Sequence, residues 1–369
     1  MTKRTWLFRF LATLLIFGLA ACSGGGGGDG GGGGGIPSAT NSAITPPPTT
    51  AVAITTAGGV TSQTNQSIAA NSFQASDGAL DNAAAPSALV VGVQADNSGT
   101  QAKRETLAGI VRRHAEKLKD HKSSVTGAVQ VATQPCSGGG TLTVAFDDAN
   151  LSATEVFVNC NQGGIVIHGT ISSSNVGVSQ NLGSTVGSPY SITVSASFTI
   201  DLSITTASAS TVVTQSSFNF SITFSGNMEA AANGGVEPGF PNRVQLAMNG
   251  AGLLTSDGTV RELLSSFSIF ADDNDTLGRT TISGNYTYAS TIIGGSVTVN
   301  ISPALVFQPQ GVDDPSSGAV TITSSGSPGK IVLTVIASPV VGVRVDVYAN
   351  AAGPVTDTVN LTWAQVKDL

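Results

Sequence analysis

The residues able to do chemistry are few, and their spacing limits which chemistry is open to them. The chain holds three cysteines, Cys22, Cys136 and Cys160, and three histidines, His114, His121 and His168. A Ser-His-Asp hydrolase needs one of those histidines as its base. His114 and His121 fall in a strongly charged stretch, while His168 sits between Ile167 and Gly169 in a strand-like run. No Gly-x-Ser-x-Gly elbow occurs beyond the N-terminal third. Paired carboxylates of the glycosidase type need two acids brought together in space, yet most acids here stand in turn-like runs, where aspartate is expected for backbone reasons. Asp272, Asp273 and Asp275, or Asp313 and Asp314, offer calcium-type oxygens without calcium-loop spacing. Cys136, Cys160 and His168 likewise lack the spacing of a zinc site. The sequence therefore predicts no catalytic residue, no metal and no cofactor, and leaves thiol chemistry.

Cys22 closes the run Leu19-Ala20-Ala21-Cys22 and is followed by Ser23 and glycines. Before it, Lys3, Arg4 and Arg9 give a positive start, and Leu7, Phe8 and the run Phe10 to Leu19 give an apolar core too short for a stable membrane span. The layout resembles the leader and lipobox of bacterial lipoproteins. That resemblance implies cleavage after residue 21, with Cys22 as the lipidated first residue of the mature chain. Acyl chains hold by about 0.8 kcal/mol for each buried methylene, and more than one chain makes the anchor durable. Ser23 is not the aspartate of an inner-membrane retention signal, so the resemblance implies the outer membrane and a bilayer partner reached through the acyl group.

The elements that follow must carry that anchor. Residues 22–100 read as a disordered tether: Gly24 to Gly28 and Gly30 to Gly35 are flexible, Pro46, Pro47 and Pro48 add a stiff extended step, and large apolar residues are scarce. Residues 101–124 read as one amphipathic basic helix. Leu107, Ile110, Val111, His114 and Leu118 recur at helical spacing, and seven lysines and arginines surround them. Its charges are read as solvated at one end of the sheet, with anionic headgroups or an acidic partner as the sharper alternative.

Residues 125–369 read as a β-rich domain. Ile192, Val194, Ala196, Phe198, Ile200, Leu202 and Ile204 alternate with hydroxyl residues and Asp201, and Phe218, Phe220, Ile222 and Phe224 repeat the pattern. Ser256-Asp257-Gly258, Asp272 to Asp275, Ile293-Gly294-Gly295, Asp313-Asp314-Pro315 and Ser327-Pro328-Gly329 read as turns. The fold class is mainly β: a large curved antiparallel sheet, or a two-sheet sandwich, with one amphipathic helix before it. An outer-membrane barrel shares the alternation, but four tyrosines and two tryptophans are too few for two aromatic girdles.

With Cys22 acylated, Cys136 and Cys160 remain as an even pair in an oxidising setting. A hairpin pairing Leu142–Phe146 with Val156–Val158 would bring them to one end, where a disulfide would be worth about 2–4 kcal/mol. Cys136 to Gly140, the aspartates Asp147-Asp148, Phe157-Val158-Asn159-Cys160, Gly163 to Gly169 and the closing Leu361-Thr362-Trp363 are similar to a group of proteobacterial outer-membrane lipoproteins with a Cys-x-Gly-Gly-Gly … Phe-x-Asn-Cys pair. The resemblance implies an exported β domain and supplies no active site.

Charge narrows the function classes. The formal charge is -7, and the leader carries three bases and no acid, so the remainder stands nearer -10. Nucleic acid is thereby disfavoured as a partner. The expected function is a lipid-anchored, non-catalytic envelope protein that is structural, adhesive or ligand-binding, its partner a protein, a glycan or a hydrophobic ligand. The alternatives are an envelope hydrolase with paired carboxylates and a periplasmic carrier of a hydrophobic ligand.

Overall fold

The computed structural model describes residues 36–54, 65–66, 68–72, 129–147, 152–162, 164–205, 211–231, 234–256, 258–309, 314–336 and 341–367. Cys22, the leader and the helix expected over 101–124 lie outside the described residues.

The strands are β1 (Val129–Pro135), β2 (Thr141–Asp147), β3 (Ser152–Gln162), β4 (Ile165–Asn181), β5 (Pro189–Thr205), β6 (Thr211–Ala230), β7 (Val236–Pro238), β8 (Arg243–Ser256), β9 (Arg261–Asn274), β10 (Arg279–Ser290), β11 (Gly295–Phe307), β12 (Ala319–Thr323), β13 (Lys330–Ile336), β14 (Gly342–Tyr348) and β15 (Val355–Thr362). They form one 15-stranded sheet in sequence order, with β7 set aside on β6. Each described neighbour pair is antiparallel, as expected when short turns join successive strands. The expected mainly β fold is thus realised as one sheet, not as the two facing sheets of a sandwich.

Period-2 alternation decides which face is buried. On β5, Ala196, Phe198, Ile200, Leu202 and Ile204 are buried, and their register partners Phe220, Phe218, Ser216 and Thr214 on β6 share that face. From β2 to β14 these inward residues belong to one core. A sheet this wide coils, and the uniform burial puts the apolar face on the inside of the coil. Ile54, Ile68 and Ala69 join the same core from outside the sheet. Phe198 stacks on Phe218 at 5.8 Å between ring centroids and tilts against Phe220 at 5.0 Å.

Cys136 and Cys160 are joined by a disulfide, with 5.4 Å between their Cα atoms. The β2–β3 register pairs Leu142 with Phe157 and Thr143 with Val156. A bulge between Phe157 and Cys160 holds Asn159 at φ 47°. Asparagine tolerates that left-handed conformation, and the extra residue turns Cys160 inward to full burial. Gly140, at φ +76°, faces the Asn159 carbonyl, and a Cβ there would lie 2.0 Å from that oxygen. The glycine run and the Phe-x-Asn-Cys run are therefore two halves of one close backbone contact.

Two expectations shift. Asp272 and Asp273 stand within β9, not in a turn. Arg243 draws Asp272 into a cross-strand pair at 2.8 and 2.9 Å, and Thr280 donates to Asp273 at 2.6 Å. The turn begins at Asp275, whose carbonyl accepts from Gly278 N. The closing strand ends at Thr362, and Trp363–Lys367 forms one helical turn. Thr362 and Gln365 cap it reciprocally: Thr362 N donates to Gln365 Oε1, and Gln365 N to Thr362 Oγ1.

Candidate functional site

Residues 39–54 form a strap: its first part lies on the outer face of the sheet, its middle bridges β11 at Ser296, and its end turns in to the core at Ile54. The strap follows one register row. Thr170 pairs with Asp201, Asp201 with Gln215, Gln215 with Leu254, Leu254 with Leu263, Leu263 with Ala289, and Ala289 with Ser296. Because directly paired residues share a face, these seven form a line at right angles to the strands. Five strand spacings of ~4.8 Å separate Asp201 from Ser296, about 24 Å in all. An extended chain covers that in the residues available between Asn41 and Thr50.

Polar side chains along the row act as rails. Thr170 Oγ1 donates to Ala39 O at 2.9 Å. Asp201 accepts from Asn41 N at 3.0 Å and from Asn41 Nδ2 at 3.1 Å. Gln215 uses its amide both ways, accepting from Ile44 N at 3.0 Å and donating to Ser42 O at 3.3 Å. The same amide also donates to Asp201 at 3.2 Å, which fixes the two rails against each other. Arg261 Nη1 donates to Thr45 O at 3.2 Å.

Beyond Arg261 the sheet supplies main chain. Ser296 N donates to Thr50 O at 2.9 Å, and Ser296 O accepts from Val52 N at 3.0 Å, a parallel bridge centred on Ala51. Ser327 Oγ then accepts from Ile54 N at 2.9 Å. Apart from the Asn41 side chain, each of these bonds is made to the strap's main chain. Burial of Ala39, Pro47 and Ile54 pins it between the rails.

Glycine gives the strap its clearance. A Cβ on Gly295 would lie 2.3 Å from Thr50 O, and one on Gly326 would lie 2.8 Å from Ala51 O. Main chain approaches main chain there, which only a residue without Cβ permits.

The strap occupies part of the stretch that composition assigns to a tether. Composition registers the low apolar content of that stretch. It does not register that a polar row elsewhere satisfies its backbone. Further along, residues 65–66 and 68–72 are helical and enclosed, and Tyr286 donates its hydroxyl to Ser72 O at 2.8 Å.

Under the strap, the inward face is polar for one row. Thr214, Thr255, Glu262 and Ser290 are successive register partners, and all are buried. Tyr288, fully enclosed, donates to Glu262 Oε1 at 2.6 Å. Burial, and then the negative Glu262 beside it, holds the Tyr288 hydroxyl well above the ordinary tyrosine pKa. Glu262 and Asp273 lie eleven residues apart on β9. At ~3.4 Å per residue that is about 37 Å, beyond either spacing of a two-carboxylate hydrolase.

The sites expected from sequence fall as follows. Cys136 and Cys160 are bonded to each other, so neither is a thiolate ligand. His168 stands on β4 with Nδ1 buried and unpartnered, and its carbonyl accepts from Asn41 Nδ2 and Ser203 Oγ. Among the described residues no group of three His, Cys, Asp or Glu side chains could hold a metal, and no helix is long and apolar enough to cross a membrane. Asp313, His114 and His121 lie outside the described residues. Sequence reasoning missed Asn41, Asp201, Gln215 and Ser296. The one signal for them was the placement of Asp201 in an otherwise hydroxyl-only face of β5.

Comparisons of the chain with family models, with curated proteins and with solved structures find no match.

Proposed function

We propose that this chain is a lipid-anchored protein of the bacterial outer membrane. Its leader is removed at residue 21, Cys22 carries the lipid, and the β sheet is a non-catalytic structural, adhesive or ligand-binding body. The observation that supports the reading best is the strap. A chain entering from an anchored Cys22 meets the sheet at Ala39 and is fixed to it across successive strands. Only residues 23–38 then separate lipid from body. A flexible chain of that length has a root-mean-square reach of about 22 Å, against about 50 Å for a tether running to residue 100. The body is held close to the bilayer. The Cys136–Cys160 disulfide suits an exported, oxidising location.

The test is metabolic palmitate labelling with membrane fractionation. The unaltered chain is expected to take label and sediment with outer membranes, and globomycin is expected to hold it as the unprocessed precursor. Cys22→Ser should lose the label. Persistent label in Cys22→Ser, or an unlabelled soluble parent chain, overturns the reading.

A further inference from the structure

The strap's binding track reads backbone and is indifferent to which copy of the chain supplies it. Asp201, Gln215, Arg261 and Ser296 meet main-chain N–H and C=O groups of the strap, and Gly295 and Gly326 clear the path for its carbonyls. These two observations are independent: one is a set of hydrogen bonds, the other is excluded volume. Together they describe a built site for an extended polypeptide segment. From them we infer that the track also takes residues 36–54 of a second copy, so that two chains exchange straps and form a dimer.

Every bond of the docked strap is reproduced when the segment comes from a second copy, because the partners are identical in both arrangements. Exchange therefore needs no new complementary surface, which is why swapping an existing element is a low-cost route to a dimer. The chain length permits it. Ten residues, 55–64, join the strap to the enclosed helical residues, and they reach about 33 Å when extended. The strap can leave its own track while Ile68 and Ala69 stay in the core. The inference does not depend on acylation of Cys22, although confinement to a bilayer would raise the local concentration of straps.

Exchange is tested on the full chain with two tags. Chains carrying different tags are co-expressed, extracted in detergent and captured through one tag. The second tag is expected in the captured fraction at several times the yield obtained when both chains carry Gly295→Val, whose Cβ would crowd Thr50 O. Co-capture no greater than that of the Gly295→Val pair overturns the inference.

A second readout uses the strap as a free peptide. A fluorescent peptide of residues 36–54 should bind the full chain saturably and fail on Gly295→Val, whose side chain blocks Thr50. Absence of saturable binding to the parent chain, or equal binding to Gly295→Val, also overturns it.

Discussion

Asp201 holds Asn41 with both carboxylate oxygens, one on the main-chain nitrogen at 3.0 Å and the other on the side-chain amide at 3.1 Å. That clamp joins the two parts of the molecule that composition separates most sharply, a low-complexity N-terminal stretch and a strand of strict alternation. Asp201→Ala should free the first part of the strap while leaving the sheet folded. A hydrogen bond to a charged acceptor contributes about 1.5–3 kcal/mol, so local protection should fall by tenfold or more. Amide hydrogen exchange over residues 39–46 reads this directly. Unchanged protection would mean that Pro47, Ile54 and the Ser296 bridge hold the strap alone.

Close backbone contact gives a second expectation. Gly140→Ala must place a Cβ 2.0 Å from the Asn159 carbonyl at a positive φ. The β2–β3 hairpin has to yield, and a loss of about 2 kcal/mol or more is expected in urea unfolding. Gly139→Ala, also at positive φ but with open space around it, should cost about 1 kcal/mol from backbone strain alone. The comparison separates clash from strain, and equal losses would contradict the contact.

The disulfide gives a third. Cys136 and Cys160 are 24 residues apart. Restriction of the unfolded chain by a loop of that size is worth about 3 kcal/mol. Cys136→Ser with Cys160→Ser should lower the urea midpoint accordingly, with the β-sheet circular dichroism of the native chain retained. A midpoint unchanged by the double substitution would show that the bond constrains nothing.

Alkaline titration gives a fourth. Tyr288 is held well above its ordinary pKa by burial and by Glu262, and Tyr190 is pushed up to about 12 by burial and then by Glu229. Both titrate near 10 in the unfolded chain. For an acid raised by folding, the unfolded state loses its proton first, so stability is fully present below pH 10 and falls as pH rises from there. Unfolding midpoints measured from pH 8 to 11.5 should decline above pH 10, and less steeply in Tyr288→Phe. That variant also leaves the buried Glu262 without this donor, costing about 1–3 kcal/mol at neutral pH.

Much of the sheet was legible because alternation is a local property. Ala196 to Ile204 and Phe218 to Phe224 announce their faces without knowledge of any partner. The Cys136–Cys160 bond was legible for a related reason: one hairpin register, Leu142 against Phe157, brings both ends together. The strap was not legible. Its bonds run from Ala39 to Thr170 and from Ile54 to Ser327, across separations that no periodicity encodes. Its own residues are small and polar because rails, not apolar burial, hold it. Asp272 misled for the opposite reason: aspartate runs favour turns, but Arg243 on the neighbouring strand supplied a partner that keeps it in β9.

The proposed point of attachment to the membrane is Cys22. The most direct measurement is the mass of the N-terminal peptide of the protein purified from outer membranes. It should begin at Cys22 and carry the added mass of a diacylglyceryl group with an amide-linked acyl chain. A peptide that begins elsewhere, or one with an unmodified Cys22, would contradict the account.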